Sequence, residues 1–420
     1  MFPDLSYIFQ FLFGTEPDNW ASIFKTFGLM LVLAILSAAW VLYFLLKRKA
    51  EQGIFKPKKV ERVIGEPASV WELVSNGAFG FFLGFKLVYA YRHFAEFQAD
   101  PASVMLSTKG VWWAGLVGAA IFAGLRYWEK KKEALPKPKT IVENLYPHDR
   151  IGDVTIIAAV LGIIGARLFS ILEEPGVFLA DPVGTLLSGS GLTIYGGLIL
   201  GFLGVLWWLR KNDIPAWHFL DSLAIAYVVA YGVGRIGCQL AGDGDWGIPA
   251  AAMPEWWFLP DWLWAFSYPH NVNNAGELMS MCDMDCVARV LREHHGITKE
   301  MLCEQCCGMR YCHELNPPVY PTPVYETVAS FLTAGILWFL SKRISTPGMI
   351  FYIYLIFNGI ERFFIEKIRV NVPYHLFGRE VTQAEIISVI IFIIGVAGTF
   401  ILWQHGKRKN AASPPKNTAS

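Results

Sequence analysis

Nine stretches of roughly twenty apolar residues constrain this chain more than any other feature. They are 23–46, 73–94, 111–127, 153–172, 191–209, 217–240, 324–341, 348–367 and 384–404, the third being the shortest. An α-helix needs about 20 such residues to cross the hydrocarbon core of a bilayer. Composition agrees: 54% of the 420 residues are hydrophobic and 17% charged, against about 25% charged in soluble domains. A disordered chain, a coiled coil and a typical cytosolic enzyme are disfavoured. The net charge of +1 provides no global field for a polyanion, so no nucleic-acid partner is expected. The expected fold is an all-α polytopic membrane bundle of about nine transmembrane helices, with a small Cys-rich outer loop domain. Met1 to Trp20 lacks a basic region ahead of an apolar core, so the first span is read as an anchor and not as a cleaved signal peptide.

Loop charges then predict orientation. Lys47, Arg48, Lys49, Lys56, Lys58, Lys59 and Arg62 follow the first span; Lys130, Lys131, Lys132, Lys137 and Lys139 follow the third. Arg210 and Lys211 follow the fifth, Lys342 and Arg343 the seventh, and Lys407, Arg408 and Lys409 the ninth. The alternate loops are poor in Lys and Arg. Every odd span thus ends on the basic side, which predicts the N-terminus outside and the C-terminus inside, in the cytoplasm. Four regions follow: 1–72, the first span and a basic loop; 73–152, an extra helical hairpin and linker; 153–404, a membrane core interrupted by an outer insertion at 241–322; and 405–420, a polar tail expected to be disordered. Residues 135–140 read as a stiff cytoplasmic linker.

Residues 84–125 echo 165–206 without a gap. Gly84 pairs with Gly165, Lys86 with Arg167, Ala99-Asp100-Pro101 with Ala180-Asp181-Pro182, Leu106-Ser107 with Leu187-Ser188, Gly110 with Gly191 and Gly115 with Gly196. The ungapped Asp-Pro and Gly matches predict a duplicated hairpin, with both copies running in the same direction, unlike the inverted repeats of many transporters.

Ionisable residues inside spans cost about 2.5–3.5 kcal/mol each on insertion scales, which makes them functional candidates. Here they are Arg167, Asp221, Arg235, Glu361, Arg362 and Glu366. The expected topology puts Arg167, Arg235, Arg362 and Tyr195 in one slab beneath the outer headgroups. Asn358, Arg362 and Glu366 recur at i, i+4, i+8 and form one polar stripe. Arginine grips a phosphate bidentately, so the cluster reads as a phospholipid phosphate site; shallow arginines that merely reach the interface are the alternative. Around Arg235, the run Gly232-Val-Gly234-Arg235-Ile-Gly237-Cys238 contains a formal G-x-G-x-x-G within 232–237. No strand precedes it, so the glycines are read as permitting close helix approach.

These residues resemble the prolipoprotein diacylglyceryl transferase family. The likeness spans about 153–404 and rests on Phe178-Leu-Ala-Asp-Pro182, Tyr195-Gly196-Gly197-Leu198, Gly234-Arg235-Ile-Gly237, Tyr320-Pro-Thr-Pro-Val-Tyr325-Glu326, and Arg362-Phe-Phe-Ile-Glu366 with Arg369. Phe27-Gly28-Leu29-Met30 looks like the family's first helix. The resemblance implies transfer of a diacylglyceryl group from phosphatidylglycerol to the lipobox cysteine thiol of a prolipoprotein, with release of glycerol phosphate. It implies a multi-pass protein of the bacterial plasma (inner) membrane, with phosphatidylglycerol, prolipoprotein signal peptides and membrane lipids as partners, and no cofactor. Arg235 and Arg362 would bind or polarise the phosphate and Glu366 would orient Arg362, with Tyr195 as the fourth catalytic candidate. Arg167, Gly196, Gly197, Gly234, Gly237, Cys238, Tyr325, Asn358 and Arg369 are the candidate substrate-binding residues. The chain departs from the family where its usual His-Gly-Gly is Tyr195-Gly-Gly, its Asn is Cys238, its span 8 tyrosine is Asn358, and its span 1 tyrosine is Phe27. The hairpin 73–127 is read as an addition. The loss of the imidazole keeps open a second reading, a non-catalytic lipid- or lipoprotein-binding protein; the repeat keeps open a third, a transporter.

Six of the seven cysteines, Cys282, Cys286, Cys303, Cys306, Cys307 and Cys312, fall in one segment with His294, His295 and His313. In an outer, oxidising compartment an even cysteine count predicts disulfides. Zinc is the competing reading, because Cys303 and Cys306 form C-x-x-C. No metal site is expected, and Cys238 is expected to stay free. Trp256, Trp257, Trp262 and Trp264 read as an interfacial belt.

Overall fold

A computed structural model describes residues 1–99, 101–187, 193–293, 296–370, 374–376 and 379–412, some of them, Tyr195 included, by backbone alone. In chain order its elements are α1 (Leu5–Phe13), α2 (Thr26–Glu51), β1 (Lys58–Ile64), α3 (Val70–Arg92), α4 (Phe94–Ala99), α5 (Pro101–Leu106), α6 (Trp112–Glu133) and β2 (Lys139–Leu145). There follow α7 (Ile151–Glu173), α8 (Pro175–Ala180), α9 (Pro182–Leu187), α10 (Ile194–Lys211), α11 (Ala216–Ala241), β3 (Glu277–Leu278), α12 (Met284–Glu293), α13 (Lys299–Cys307) and β4 (His313–Glu314). The chain closes with α14 (Thr322–Ser341), α15 (Met349–Glu366), β5 (Tyr374–Leu376), β6 (Arg379–Val381) and α16 (Gln383–Ala412). Each apolar stretch coincides with one long helix. Six of them, α2, α3, α7, α11, α14 and α16, are long and apolar enough to cross a membrane by length and composition alone. Helix α15 is kept out of that group by its own Glu361, Arg362 and Glu366.

The described residues divide into two compact units, 47–214 and the remainder. In the first, α3 packs on α6 and α7 on α10. Both pairs close on small residues, as membrane helices do when no hydrophobic force drives them together. A Cβ on Gly165 would lie 2.3 Å from the Gly196 carbonyl oxygen, and one on Gly84 would lie 2.2 Å from that of Ala114. The short helices α4 and α5 between one pair recur as α8 and α9 between the other, at the same displacement as Gly84 and Gly165. Lys86, which the sequence reading left out of the intramembrane charges, is buried. Its ammonium donates to the carbonyls of Val104 and Lys109, both at 2.9 Å, and contacts Ser107, so its charge is absorbed by the loop that follows α3. Ser188 and Gly191 of the second copy lie outside the described residues.

Two basic loops, read from the sequence as a loop and a linker, contain an antiparallel ribbon. β1 pairs with β2 from Lys58↔Leu145 to Ile64↔Lys139, so the linker reading of 135–140 ends where β2 begins. The ladder satisfies backbone groups that apolar periodicity says nothing about.

In the second unit α11 packs on α14 and α15, and α15 on α16. Asp221, an intramembrane acid by sequence, accepts from the backbone N–H groups of Gly348 at 2.9 Å and Phe351 at 3.0 Å. It thereby satisfies donors that the first turn of α15 leaves unpaired. The glycines near Arg235 divide in role. A Cβ on Gly237 would sit 2.8 Å from Met30 of α2, whereas one on Gly234 would meet nothing within 4 Å. Close helix approach therefore accounts for Gly237 and not for Gly234.

The segment between α11 and α14 is stapled by Cys282–Cys307, Cys286–Cys306 and Cys303–Cys312. Cys286, Val287 and Val290 of α12 bury one face against Leu302 and Cys306 of α13. Cys238 is free and buried. His294 and His295 lie outside the described residues. Fully buried Tyr268 ties the segment to the end of α11, and fully buried Asn271 holds the segment itself together. The Tyr268 hydroxyl donates to Gln239 Oε1 at 2.7 Å, and Asn271 donates to the carbonyls of Tyr268, Ala275 and His313.

Candidate lipid-phosphate site

The site begins with a carboxylate that the sequence reading quoted in a motif but did not select. Glu326 opens α14 and is fully buried. Such a charge persists in a membrane helix only with partners, and three arginines supply them. Arg235 Nε of α11 lies 3.2 Å from Glu326 Oε2. Arg362 Nη1 of α15 and Arg369 Nη1, just past α15, each lie 3.7 Å from Glu326 Oε1. The Tyr231 hydroxyl donates to the same oxygen at 2.8 Å, and the Arg235 guanidinium sits over the Tyr231 ring at 4.9 Å.

Two further carboxylates complete the cluster. Glu366 Oε2 lies 2.9 Å from Arg362 Nη2, one helical turn away. Asp245 pairs with both Arg235 and Arg369 from the loop after α11. That loop is held in place by the backbone: the Gly247 N–H donates to Tyr320 O at 2.9 Å, Ile248 N–H to Ile368 O at 2.8 Å, and the Thr322 hydroxyl to Asp245 O at 2.6 Å. Burial alone would raise the Asp245 carboxyl, but Arg235 and Arg369 outweigh it and hold it below the ordinary carboxylate range. Its neighbour Asp243, buried and close to Asp245, is pushed the other way.

Of the expected site residues, Arg235, Arg362, Glu366 and Arg369 thus come together around Glu326. Cys238 belongs to the edge of the cluster, its Sγ 3.8 Å from Arg235 Nη1. Asn358 lines a cleft one turn away along α15. Gly234 faces open space, and Gly237 seats α2. The Tyr325 hydroxyl donates to Leu263 O at 2.6 Å, fastening the Trp-rich loop to α14. Arg167, half-buried on α7, and Gly196 and Gly197 on α10 belong to the other unit. The Tyr195 side chain lies outside the described residues. Glu326 had a signal in the sequence, an acid five residues into an otherwise apolar helix. Asp245 had none, because its arginines come from two distant parts of the chain.

Three guanidiniums share three carboxylates here, and each guanidinium carries five N–H donors in a rigid fork. Arg362 is the most exposed of them, at 26% of its side chain, against 15% for Arg235 and 12% for Arg369. A charged cluster of this kind, built at the ends of long apolar helices, belongs to a helical membrane protein.

A model of the prolipoprotein diacylglyceryl transferase family matches residues 112–401, and the chain belongs to that family. The match opens on α6, ahead of the likeness read from about 153 onward. Three enzymes named phosphatidylglycerol–prolipoprotein diacylglyceryl transferase are similar to it. That of Bifidobacterium adolescentis is 27% identical over 267 residues, 62% of this chain and 68% of its own. That of Bifidobacterium longum subsp. infantis is 23% identical over 267 residues, 61% and 72%. That of Corynebacterium glutamicum is 25% identical over 334 residues, 76% and 90%. Family and apolar helices together make this a bacterial integral membrane protein.

Proposed function

We propose that this chain transfers the diacylglyceryl group of phosphatidylglycerol to the lipobox cysteine thiol of prolipoproteins. The observation that carries the reading is the convergence of Arg235, Arg362 and Arg369 on Glu326, within the range that matches the family. The sulfur forms a bond to the glyceryl carbon. The bond between that carbon and the phosphate oxygen breaks, and its electron pair departs with glycerol phosphate. Negative charge therefore gathers on the phosphate, where fixed positive charge in a dry site is most effective. Arg235 and Arg362 hold the phosphate. Glu366 and Glu326 fix the forks from behind, and Arg369 with Asp245 closes the rim. Gly234 leaves room beside Arg235 for the lipid. The thiol enters on a prolipoprotein signal peptide.

The orientation we propose is N-terminus outside and C-terminus in the cytoplasm, with nine spans. The alternation of basic loops supports it. So does the ladder between β1 and β2, since it requires the two basic loops that follow the first and third spans to share one side. Residues 241–322 then face the oxidising exterior, in keeping with three disulfides. Purified protein, phosphatidylglycerol and a lipobox peptide, with mass spectrometry of the product, test the function. A diacylglyceryl-modified peptide is expected. Lipid binding with no transfer to any lipobox peptide would favour the non-catalytic reading that Tyr195 keeps open.

A further inference from the structure

Beneath the arginine cluster lies a second polar feature that the phosphate site does not use. Helices α11, α14 and α15 enclose a small cleft lined by Tyr227, Tyr231, Ser330, Tyr354, Asn358 and Glu361. On each helix it is one turn or so from the cluster: Tyr231 precedes Arg235, Ser330 follows Glu326, and Asn358 precedes Arg362. At 1.5 Å per residue Tyr231, Ser330 and Asn358 lie about 6 Å deeper in the bundle, while Glu361, next to Arg362, lies at the level of the cluster. Tyr231 belongs to both, lining the cleft while its hydroxyl donates to Glu326.

Glu361 is the unusual member. The three carboxylates of the cluster are committed: Glu326 to three arginines, Glu366 to Arg362, and Asp245 to Arg235 and Arg369. Glu361 enters none of these ion pairs, and its Oε1 is buried with no hydrogen-bond partner among the described residues. A buried acceptor left unpaired inside a membrane bundle is disfavoured unless something else occupies it.

Thiol alkylation has a requirement that the arginine cluster does not meet. The nucleophile is the thiolate, so a proton must leave the incoming cysteine. Arginines stay protonated and accept nothing. A carboxylate held by guanidiniums is a weakened base. Tyrosine hydroxyls, with an ordinary pKa near 10, relay a proton better than they keep one. We infer that Glu361, in its tyrosine-lined cleft beside the arginines, is the group that takes the thiol proton. This rests on the transfer reading above. The S–H proton passes to the Glu361 carboxylate, directly or across the Tyr231 hydroxyl. The freed pair on sulfur forms the S–C bond, and the C–O pair leaves on glycerol phosphate. The Glu361 carboxylic acid then returns its proton to water or to the departing phosphate, which restores the carboxylate.

The test compares two acceptors with one donor lipid: a lipobox peptide carrying cysteine, and the same peptide carrying selenocysteine, whose selenol ionises without help at neutral pH. Glu361→Gln is expected to slow turnover of the cysteine peptide about a hundredfold or more, the range for loss of a general base, with an unchanged KM for phosphatidylglycerol. With the selenocysteine peptide the deficit is expected to shrink to within about tenfold. Arg235→Gln is expected to lose activity with both peptides alike. Glu361→Asp, which keeps a carboxylate, is expected to retain part of the cysteine activity and serves if the Gln variant does not fold. Wild-type turnover of the cysteine peptide by Glu361→Gln overturns the assignment and leaves the transfer reading standing. So does an equal deficit with both peptides, which would make Glu361 structural. Failure of the wild type with both acceptors removes the transfer reading, and this inference with it.

Discussion

Glu326 shows how a single side chain organises this bundle. It is fully buried, yet three guanidiniums and a tyrosine hydroxyl surround it. Removing one member of a buried, paired set leaves the others uncompensated, at a cost of about 3–5 kcal/mol. Glu326→Ala is therefore expected to lower thermal stability in detergent and abolish transfer together, read by a melting curve and the peptide assay. Arg235→Gln acts differently. It removes charge from the developing leaving group, so turnover should fall about a hundredfold or more, with Lys rescuing only partly because it lacks the two-pronged fork. Unchanged turnover and unchanged phosphatidylglycerol binding in Arg235→Gln would reject the phosphate site. Arg235, Arg362 and Glu366 were legible in the sequence because charge in an apolar helix stands out by itself, whereas Arg369, past the end of α15, came only with the resemblance. Asp245 was not, because nothing in a polar loop marks it as the partner of residues ten and 124 positions away.

Local elements carry their own consequences. The loop bearing Asp245 is pinned to Arg235 and Arg369, and their charge depresses its carboxyl. A group whose folded pKa lies below its unfolded value adds stability that is present above the unfolded pKa. That stability is lost as pH falls through the folded one. Acid titration of the purified protein should therefore destabilise it through and below the ordinary carboxylate range, and Asp245→Asn should be less stable at neutral pH with a flatter acid limb. An identical acid limb in the variant would show that Asp245 is not the titrating group. In the cysteine segment, α12 and α13 are short, and their shared core is mostly cystine. Thiol counting on the denatured protein should find one free thiol before reduction, Cys238, and six more after it, with no stoichiometric zinc in a metal assay. The even cysteine count made disulfides legible; the pairing was open because fifteen arrangements of six cysteines are equally compatible with spacing. The ribbon of β1 and β2 was not legible, since its charged strands lack an apolar face and its partners come from separate loops.

At the scale of the whole molecule, the apolar lengths made the helices legible, while the sidedness of the bundle rests on charge asymmetry. Lys and Arg follow every odd span, and the first two basic loops are joined by a seven-residue ladder. That ladder makes one alternative testable. If exactly one of α3 and α6 failed to cross, the two loops would lie on opposite sides and could not pair, and every later span would change sides. Single cysteines report the difference, because the native thiols are either oxidised or buried. Glu255→Cys, on the exposed Trp-rich loop, should label in intact cells with a membrane-impermeant maleimide. Gln52→Cys, at the end of the first long helix, and a cysteine at position 415 should label only after permeabilisation. Labelling of position 415 in intact cells would invert the bundle. The arginine cluster would then open toward the inner leaflet, and the disulfides would face a reducing compartment where they do not persist. Agreement of all three sites instead puts the lipid phosphate, the arginines that meet it and the oxidised segment on one side. A prolipoprotein thiol delivered to the outer leaflet would then find them there.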